Sequence, residues 1–224
     1  MTSATVTAQP SFTAEREALV DSQVRTNDVQ DREVINAMLA VPREHYVPEA
    51  RKGLAYSDID IQTGPGRYLW QARDFSKLLQ AAAIQPDETV LNIAPGTGYS
   101  SEVIARIAKS VVNLETADHV EALTAGLEPR GLTNCETVGG DLAQPVAGKG
   151  PFDVVFVNGS VEVVPEAWTA QLADGGRLAV VVRENGVGRA RIYTRSGDKI
   201  AWRNVFEAFV PALPGFEQKE TFRF

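Results

Sequence analysis

The sequence predicts an α/β fold: a mostly parallel seven-stranded sheet with helices on both faces, an N-terminal helical extension and a C-terminal antiparallel hairpin. Three observations support this prediction. Short apolar runs alternate with amphipathic segments over residues 71–182, which is typical of parallel strands buried between helices. A glycine-rich turn follows the first run. Near the C-terminus, two strand-like stretches flank Ser196-Gly197-Asp198 and indicate a hairpin.

Composition narrows the class of protein. The chain has 224 residues, 44% of them hydrophobic, and a formal net charge of −7. This balance and the lack of long Lys/Arg runs disfavour nucleic-acid binding. Cys135 is the single cysteine, so an intramolecular disulfide is impossible and a reducing compartment is the simpler expectation. The N-terminus has no signal-peptide pattern and no apolar run is long enough to span a bilayer, so we expect a cytoplasmic protein without a membrane partner.

The N-terminal elements are predicted from capping and periodicity. A helix is expected from Thr13, with Thr13 as its N-cap. Asp31 is expected to cap a second helix, which Pro42 stops, with Val34, Ile35, Met38 and Leu39 on one face. Irregular chain should follow up to about residue 70, and a long irregular stretch in a compact domain is more often functional than accidental.

The rest of the chain alternates between strands and helices. We predict one domain over residues 1–224, in which 1–12 are flexible, 13–70 form a helical and loop region and 71–224 form the core. A helix carries Phe75, Leu78, Leu79, Ala82 and Ala83. The predicted strands are TVLNI, VVNLE, CETV, FDVVFVN, RLAVVV, RARIYT and KIAWRNV, and KETFRF is a possible further strand.

The turn VLNIAPGTGYS suggests a ligand site. Gly96 and Gly98 form a G-x-G core that lets a ligand approach the backbone, although plain strand-to-helix connections also contain G-x-G. Glu115 ends the next strand, where a carboxylate can accept hydrogen bonds from both ribose hydroxyls of an adenosine; it could also be a solvated strand-end charge. Asp141, after Gly140, could accept from an adenine amino group or cap its own turn.

A nucleotide crevice fits either a hydride-transfer cofactor or S-adenosylmethionine. The C-terminal hairpin is the usual ending of a methyltransferase sheet, which is an argument from fold analogy. The chain also resembles the protein-L-isoaspartate O-methyltransferase family from about Leu19 to Val182. The most specific segment is AMLAVPREHYVPEA, and AYSDIDI, VLNIAPGTGYSSEVIARI, GDL, PFDVVFVNGSVEVVP and QLADGGRLAVVV follow in the family's order.

The resemblance implies a Rossmann-like class I methyltransferase. It implies methyl transfer from S-adenosylmethionine to the free carboxylate of an isoaspartyl residue in a protein or peptide, a repair reaction that needs no metal. His45 is then structural, and residues 13–70 include the substrate loop. The implied cofactor-binding positions are Asn92, Ala94, Gly96, Gly98, Tyr99, Glu115, Gly140, Asp141 and Leu142.

Several positions depart from the family pattern. The Thr and Ser that orient the substrate in the family correspond here to Tyr68 and Trp70, which could instead be core residues. Arg67 could pair with a carboxylate through both nitrogens of its fork or lie on the surface. Asn92 replaces an acid near the methionine end of the cofactor, and Ala94 replaces a glycine, which is damaging if its φ is positive.

Three functions remain open from the sequence. The first is isoaspartyl methyl transfer, with Tyr68, Trp70 and Arg67 at the catalytic positions. The second is methyl transfer to another acceptor, because the orienting hydroxyls are missing. The third is a binding or scaffold protein whose cofactor pocket is weakened or empty.

Overall fold

A computed structural model describes residues 11–218. The predictions for residues 1–10 and for KETFRF (219–224) lie outside the described residues. The helices are α1 Phe12–Leu19, α2 Arg32–Ala40, α3 Ala72–Ala82, α4 Tyr99–Ala105, α5 Ala117–Leu127 and α6 Glu166–Ala170. The strands are β1 Ile61–Gly64, β2 Arg67–Leu69, β3 Thr89–Ile93, β4 Ser110–Glu115, β5 Cys135–Gly139, β6 Phe152–Val161, β7 Leu172–Glu184, β8 Val187–Ser196 and β9 Lys199–Glu207.

The main sheet has seven strands in the order β5-β4-β3-β6-β7-β8-β9. Strands β3 to β7 pair in parallel, whereas β8 and β9 form an antiparallel hairpin. The predicted fold class is therefore confirmed. The chain moves outward from β3 in one direction through β4 and in the other through β6, so the topological switch point lies at the carboxyl ends of β3 and β6.

The N-terminal helices differ from the prediction at one cap. Helix α1 starts at Phe12, and Ser11 is its N-cap, with the hydroxyl accepting from the Ala14 backbone N–H at 3.3 Å. Thr13 was the wrong choice because Ser11, two residues earlier, already accepts from the exposed backbone N–H of the first turn. Asp31 caps α2 as predicted, accepting from the N–H groups of Glu33 and Val34.

The stretch before the core is less irregular than predicted. It contains two short 3₁₀ segments, Arg43–His45 and Glu49–Leu54, and the antiparallel β1–β2 hairpin. The hairpin turns at Pro65-Gly66, where proline suits the first central position and Gly66 has the positive φ, 64°, that the second position needs. This hairpin is the segment that covers the candidate site.

The core forms two apolar clusters on the two faces of the main sheet. Trp70 belongs to one cluster and Trp168 to the other, whereas Trp202 on the edge strand β9 is 54% exposed. Ala83 does not belong to α3 as predicted: it follows the helix in a left-handed conformation, φ 48°, and is exposed. Among residues 11–218, no helix combines the length and apolarity that crossing a bilayer requires. The single-domain organisation stays a prediction.

Candidate active site

The glycine turn links β3 to α4 through left-handed backbone. Gly96 has φ 64° and Gly98 has φ 101°. A Cβ at Gly98 would lie 2.8 Å from the Leu127 side chain, and one at Gly126 would lie 2.0 Å from the Thr97 carbonyl oxygen. Helix α5 therefore packs directly on the turn, and glycines at both positions allow this close approach.

Ala94 takes the conformation that the sequence marked as unfavourable. Its φ is 56°, its side chain is buried, and its N–H donates to the Leu114 carbonyl at 3.0 Å. The left-handed region costs a residue with a Cβ about 1–2 kcal/mol. The turn therefore keeps its shape at Ala94 at the expense of local strain.

Glu115 is completely buried at the carboxyl end of β4. Its Oε1 accepts from Arg67 Nε at 2.8 Å and from the Gly96 N–H at 2.9 Å. Its Oε2 accepts from an Arg67 terminal nitrogen at 2.8 Å and from the Thr116 N–H at 2.9 Å. A carboxylate offers about four acceptor positions. Glu115 thus lies against the glycine turn as predicted, and all of its acceptor positions are used within the protein.

Arg67 pairs with a carboxylate through two nitrogens, one of the two alternatives considered above, and its partner is Glu115. Arg67 is 5% exposed and starts strand β2. A Cβ at Gly96 would lie 3.3 Å from the Arg67 Cβ and 3.4 Å from the Thr63 hydroxyl. The β1–β2 hairpin therefore rests on the glycine turn, and the cavity there measures only about 10 Å³. That is roughly the space of one water molecule.

Tyr68 and Trp70 both line this small cavity, together with Asn158. Trp70 is 4% exposed and packs in an apolar cluster, and its carbonyl accepts from Arg43 at 2.8 Å. Tyr68 is half-buried against the same cluster. The structure brings the two positions to the site, and their catalytic roles stay a prediction.

Asn92 is buried within a polar network. Its Nδ2 lies 3.1 Å from the hydroxyls of Ser100 and Ser101 and 3.0 Å from Asn113 Oδ1. Its Oδ1 accepts from Asn158 Nδ2 at 2.7 Å. The Asn92 amide is therefore satisfied by neutral partners, both as a donor and as an acceptor. The role of Asn92 in cofactor binding stays a prediction.

Tyr99 starts α4 with its ring fully enclosed. The ring centroid lies 5.4 Å from that of Phe75 and 5.8 Å from that of Tyr46, and the Arg43 guanidinium lies 4.9 Å from it. Burial raises the pKa of Tyr99, and the nearby Arg43 opposes this rise. Its hydroxyl has no hydrogen-bond partner within the described part of the chain.

The segment after β5 completes the edge of the crevice. The Gly140 N–H donates to the Glu115 carbonyl at 2.8 Å, which joins the ends of β4 and β5. Asp141 is exposed, and its Oδ1 accepts from the Ala143 N–H at 2.9 Å, the turn cap considered above. Leu142 is buried, and its carbonyl accepts from the Trp168 indole at 2.7 Å. An adenine contact by Asp141 stays a prediction.

Three residues of the site were missed in the sequence. Gly126 carried a signal, because an isolated glycine inside a helix pattern often has a packing reason. His119 connects its ring nitrogens to the Thr116 hydroxyl and the Pro65 carbonyl, each at 2.9 Å, and so ties α5 to the tip of the β1–β2 hairpin. Asn158 binds Asn92 and the Ile93 carbonyl; no local pattern marks either contact.

A much larger cavity lies elsewhere. It measures about 790 Å³ and is lined by residues after β6 and from β7, β8 and β9, among them Glu166, Arg183 and Tyr193. It is far larger than the space at the glycine turn, and no residue of the G-x-G turn, Glu115 or Asp141 contributes to it. Its size alone does not make it the candidate site.

Comparison with known proteins identifies the family. The model for "Protein-L-isoaspartate(D-aspartate) O-methyltransferase (PCMT)" matches residues 14–215. The chain belongs to this family. Its relatives include the protein-L-isoaspartate O-methyltransferases of Methylorubrum extorquens, 35% identical over 89% of each chain, and Koribacter versatilis, 34% identical over 76% of this chain and 78% of the relative.

One solved structure agrees with the family assignment, and a second has the same fold. A protein-L-isoaspartate O-methyltransferase structure matches with a TM-score of 0.78 and 25% identity, over 89% of this chain and 66% of the other. A Plasmodium falciparum structure, described as a beta-aspartate methyltransferase in complex with S-adenosyl-L-homocysteine, matches with a TM-score of 0.76 and 20% identity, over 88% and 97%. The second match supports the fold alone. In this chain Arg67 closes the glycine turn and Glu115.

Proposed function

We propose that the protein is an S-adenosylmethionine-dependent methyltransferase that methylates the free carboxylate of isoaspartyl residues in proteins or peptides. The main support is family membership over residues 14–215. The site adds a second support, since Glu115 and the Gly96 N–H meet at the carboxyl ends of β4 and β3. We further propose a cytoplasmic location, which the single cysteine favours.

The chemistry of the donor set fits an adenosine. Glu115 offers two carboxylate oxygens beside backbone N–H groups, and Gly96, which the hairpin residues Arg67 and Thr63 now contact, has no side chain to keep a ligand away from the turn. The ribose does not fit while the hairpin is closed, because Arg67 and two backbone N–H groups already occupy the acceptor positions of Glu115. Cofactor binding therefore requires the β1–β2 hairpin to move and Arg67 to leave Glu115.

The residues of this chain would bind the cofactor and the acceptor and shield them from water, rather than act as general acids or bases. When bound, S-adenosylmethionine supplies an activated methyl group. Glu115 would hold the ribose, with Asp141 at the adenine. The hairpin would exclude water from the acceptor, while Tyr68, Trp70 and Arg67 would offer hydrogen-bond donors to its carboxylate.

Two alternatives follow from specific contacts. Tyr68 and Trp70 replace smaller hydroxyl side chains and favour a different acceptor. The saturated Glu115 favours a binding or scaffold protein that no longer takes a cofactor. Cofactor titration separates the third function from the first two, and the identity of the methylated product separates the first from the second.

The test combines binding with turnover. Purified protein is titrated calorimetrically with S-adenosylmethionine and S-adenosylhomocysteine, then assayed for methyl transfer to an isoaspartyl peptide and its aspartyl isomer. Binding of both ligands and a base-labile ester on the isoaspartyl peptide alone are expected, and Glu115→Gln should weaken binding. Binding without this ester would indicate another acceptor. No heat and no thermal stabilisation at millimolar ligand would indicate a scaffold.

A further inference from the structure

The contact between Arg67 and Glu115 competes with the ligand of the proposed site. The ribose hydroxyls need the same carboxylate oxygens that Arg67 holds at 2.8 Å. The other two hydrogen bonds to Glu115 come from backbone N–H groups of Gly96 and Thr116, which belong to the turn and to the start of α5. Arg67 is therefore the partner that a nucleoside displaces.

The tip of the hairpin is held less firmly than its base, where Ile61 and Leu69 are buried in an apolar cluster. Apart from its paired strands, its tip is held by the His119 contact to the Pro65 carbonyl at 2.9 Å and by Gly66 packing on Pro214. The closed arrangement also leaves the buried Thr63 hydroxyl without a hydrogen-bond partner within residues 11–218. A buried hydroxyl without a hydrogen-bond partner costs free energy. The closed arrangement therefore carries one unfavourable contribution to its stability.

A displaced Arg67 needs a new anion. A guanidinium that loses its carboxylate near a low-dielectric site is strongly disfavoured unless another negative group replaces it. The proposed reaction brings two: the carboxylate at the methionine end of the cofactor, which is expected near Asn92, and the carboxylate of the acceptor, which is therefore left for Arg67. The planar fork of arginine matches that group as well as it matches Glu115.

We propose that Arg67 exchanges carboxylate partners: it binds Glu115 while the nucleoside is absent, and it binds the acceptor carboxylate once the ribose hydroxyls occupy Glu115. This inference rests on the proposed function and adds a specificity-determining residue to it. The closed hairpin then protects a buried acid, and its opening supplies the positive charge that selects an anionic acceptor. Cofactor and acceptor binding become coupled through one side chain.

The exchange predicts opposite effects of one substitution. In Arg67→Gln, Glu115 no longer loses a charged partner on binding, so S-adenosylhomocysteine should bind about tenfold more tightly. The same variant lacks the guanidinium for the acceptor, so an isoaspartyl peptide should bind the S-adenosylhomocysteine complex about tenfold more weakly. A purely structural role for Arg67 would weaken both. Arg67→Lys keeps the charge and should restore part of the peptide affinity.

The experiment measures both dissociation constants by calorimetry for the wild type, Arg67→Gln and Arg67→Lys. Arg177→Gln is the matched control, because Arg177 forms a similar forked pair with Glu88 away from the site; both of its constants should stay within about twofold of the wild type. Parallel losses in Arg67→Gln, unchanged peptide affinity, or no nucleoside binding by any protein would overturn the exchange.

If Arg67→Gln does not fold, Arg67→Lys carries the test: tighter nucleoside binding with weaker peptide binding supports the exchange, and any other pair of shifts overturns it. The proposed function fails separately. Opposite shifts without methyl transfer to the peptide would leave the exchange standing and remove the assigned reaction. Methyl transfer to the peptide with parallel shifts of the two dissociation constants would keep the assigned reaction and overturn the exchange.

Discussion

Arg67–Glu115 and Arg177–Glu88 are two arginine–glutamate pairs with forked contacts in different parts of the molecule. Arg177 holds Glu88 at 2.6 and 2.8 Å and also donates to the backbone carbonyls of Ala82 and Ala83. Arg67 holds Glu115 at 2.8 Å twice, and its remaining contact is to Gly66, its own neighbour in the chain. Arg177 therefore ties α3, the start of β3 and β7 together, whereas Arg67 can leave in one movement of its hairpin.

The surroundings of the two pairs strengthen this contrast. The side chains of Arg177 and Glu88 are 16% and 18% exposed, and those of Arg67 and Glu115 are 5% and 0% exposed. A buried ion pair loses more hydration free energy than a partly exposed one, so it contributes less to stability as a purely structural contact. The difference indicates that similar contact geometry links elements of the fold in one region and, under the proposed function, occupies the position of the ribose in the other.

The largest effect should come from removing one acid from each pair. Glu115→Ala leaves a buried guanidinium without its carboxylate and should lower the free energy of unfolding by about 3–5 kcal/mol. Glu88→Ala removes charged hydrogen bonds from a partly solvated pair and should cost about 1.5–3 kcal/mol. Urea unfolding followed by circular dichroism gives both values. A smaller loss for Glu115→Ala would contradict the contrast between the two regions.

The packing of α5 on the glycine turn gives the next effect. Gly126→Ala places a Cβ 2.0 Å from the Thr97 carbonyl, so the helix must shift; the expected loss is about 1–3 kcal/mol. Gly53→Ala is the control, because a Cβ there meets nothing within 4 Å. Thermal unfolding of the two variants should differ clearly. Equal melting temperatures would show that the glycine turn shifts to accommodate the methyl group added to α5 without a loss of stability.

Two alanines in a left-handed backbone conformation, Ala83 and Ala94, allow the two regions to be compared through smaller changes in stability. Ala83→Gly, at an exposed helix end beside Arg177, relieves strain and should stabilise the protein by about 0.5–1 kcal/mol. Ala94→Gly relieves the same strain but loses a buried methyl group worth about 0.8 kcal/mol, so its net effect should be near zero. Paired denaturant titrations measure both. A large gain for Ala94→Gly would mean that its methyl group packs poorly.

The smallest effect depends on pH and lies near the base of the hairpin. Burial raises the pKa of Asp60, and the nearby Asp74 and Asp58 raise it further, although the Gln71 N–H, donating at 2.9 Å, and Arg43 lower it. The folded state therefore disfavours the charged form, and stability is lost as pH rises from the ordinary aspartate pKa through the raised one.

Asp60→Asn should consequently be more stable than the wild type at pH 7, because its amide carbonyl still accepts from Gln71. The advantage should disappear below about pH 4, where the unfolded aspartate is protonated as well. Melting temperatures across this pH range give the comparison. An advantage that persists at low pH would assign the gain to packing instead of ionisation.

Much of the fold could be predicted because its signals are local. The alternation of apolar strands and amphipathic helices identified the seven strands, and Asp31 marked the start of α2 through its own side chain. The β1–β2 hairpin was missed although Pro65-Gly66 is a turn signal, since its strands have only four and three residues. The cap of α1 was misplaced by two residues because Ser11 and Thr13 are both good caps.

The site could be predicted only in part. Glu115 was placed correctly, because a strand end next to a glycine turn fixes its position. Its pairing with Arg67 joins residues 48 positions apart, and no periodicity encodes which of several carboxylates an arginine will meet. The positive φ of Ala94 was likewise open, since alanine is compatible with either conformation until the turn around it is known.

The positions of the three tryptophans allow movement of the β1–β2 hairpin to be followed by fluorescence spectroscopy. Trp168 is fully buried in the opposite cluster, and Trp202 is the exposed one, stacked beneath the Arg191 guanidinium at 4.2 Å. Replacing Trp202 with phenylalanine would leave Trp70, directly after the hairpin, as the one indole whose surroundings change when the site opens. Its emission wavelength and its quenching by a small neutral solute would then report the open fraction in real time, without any attached dye.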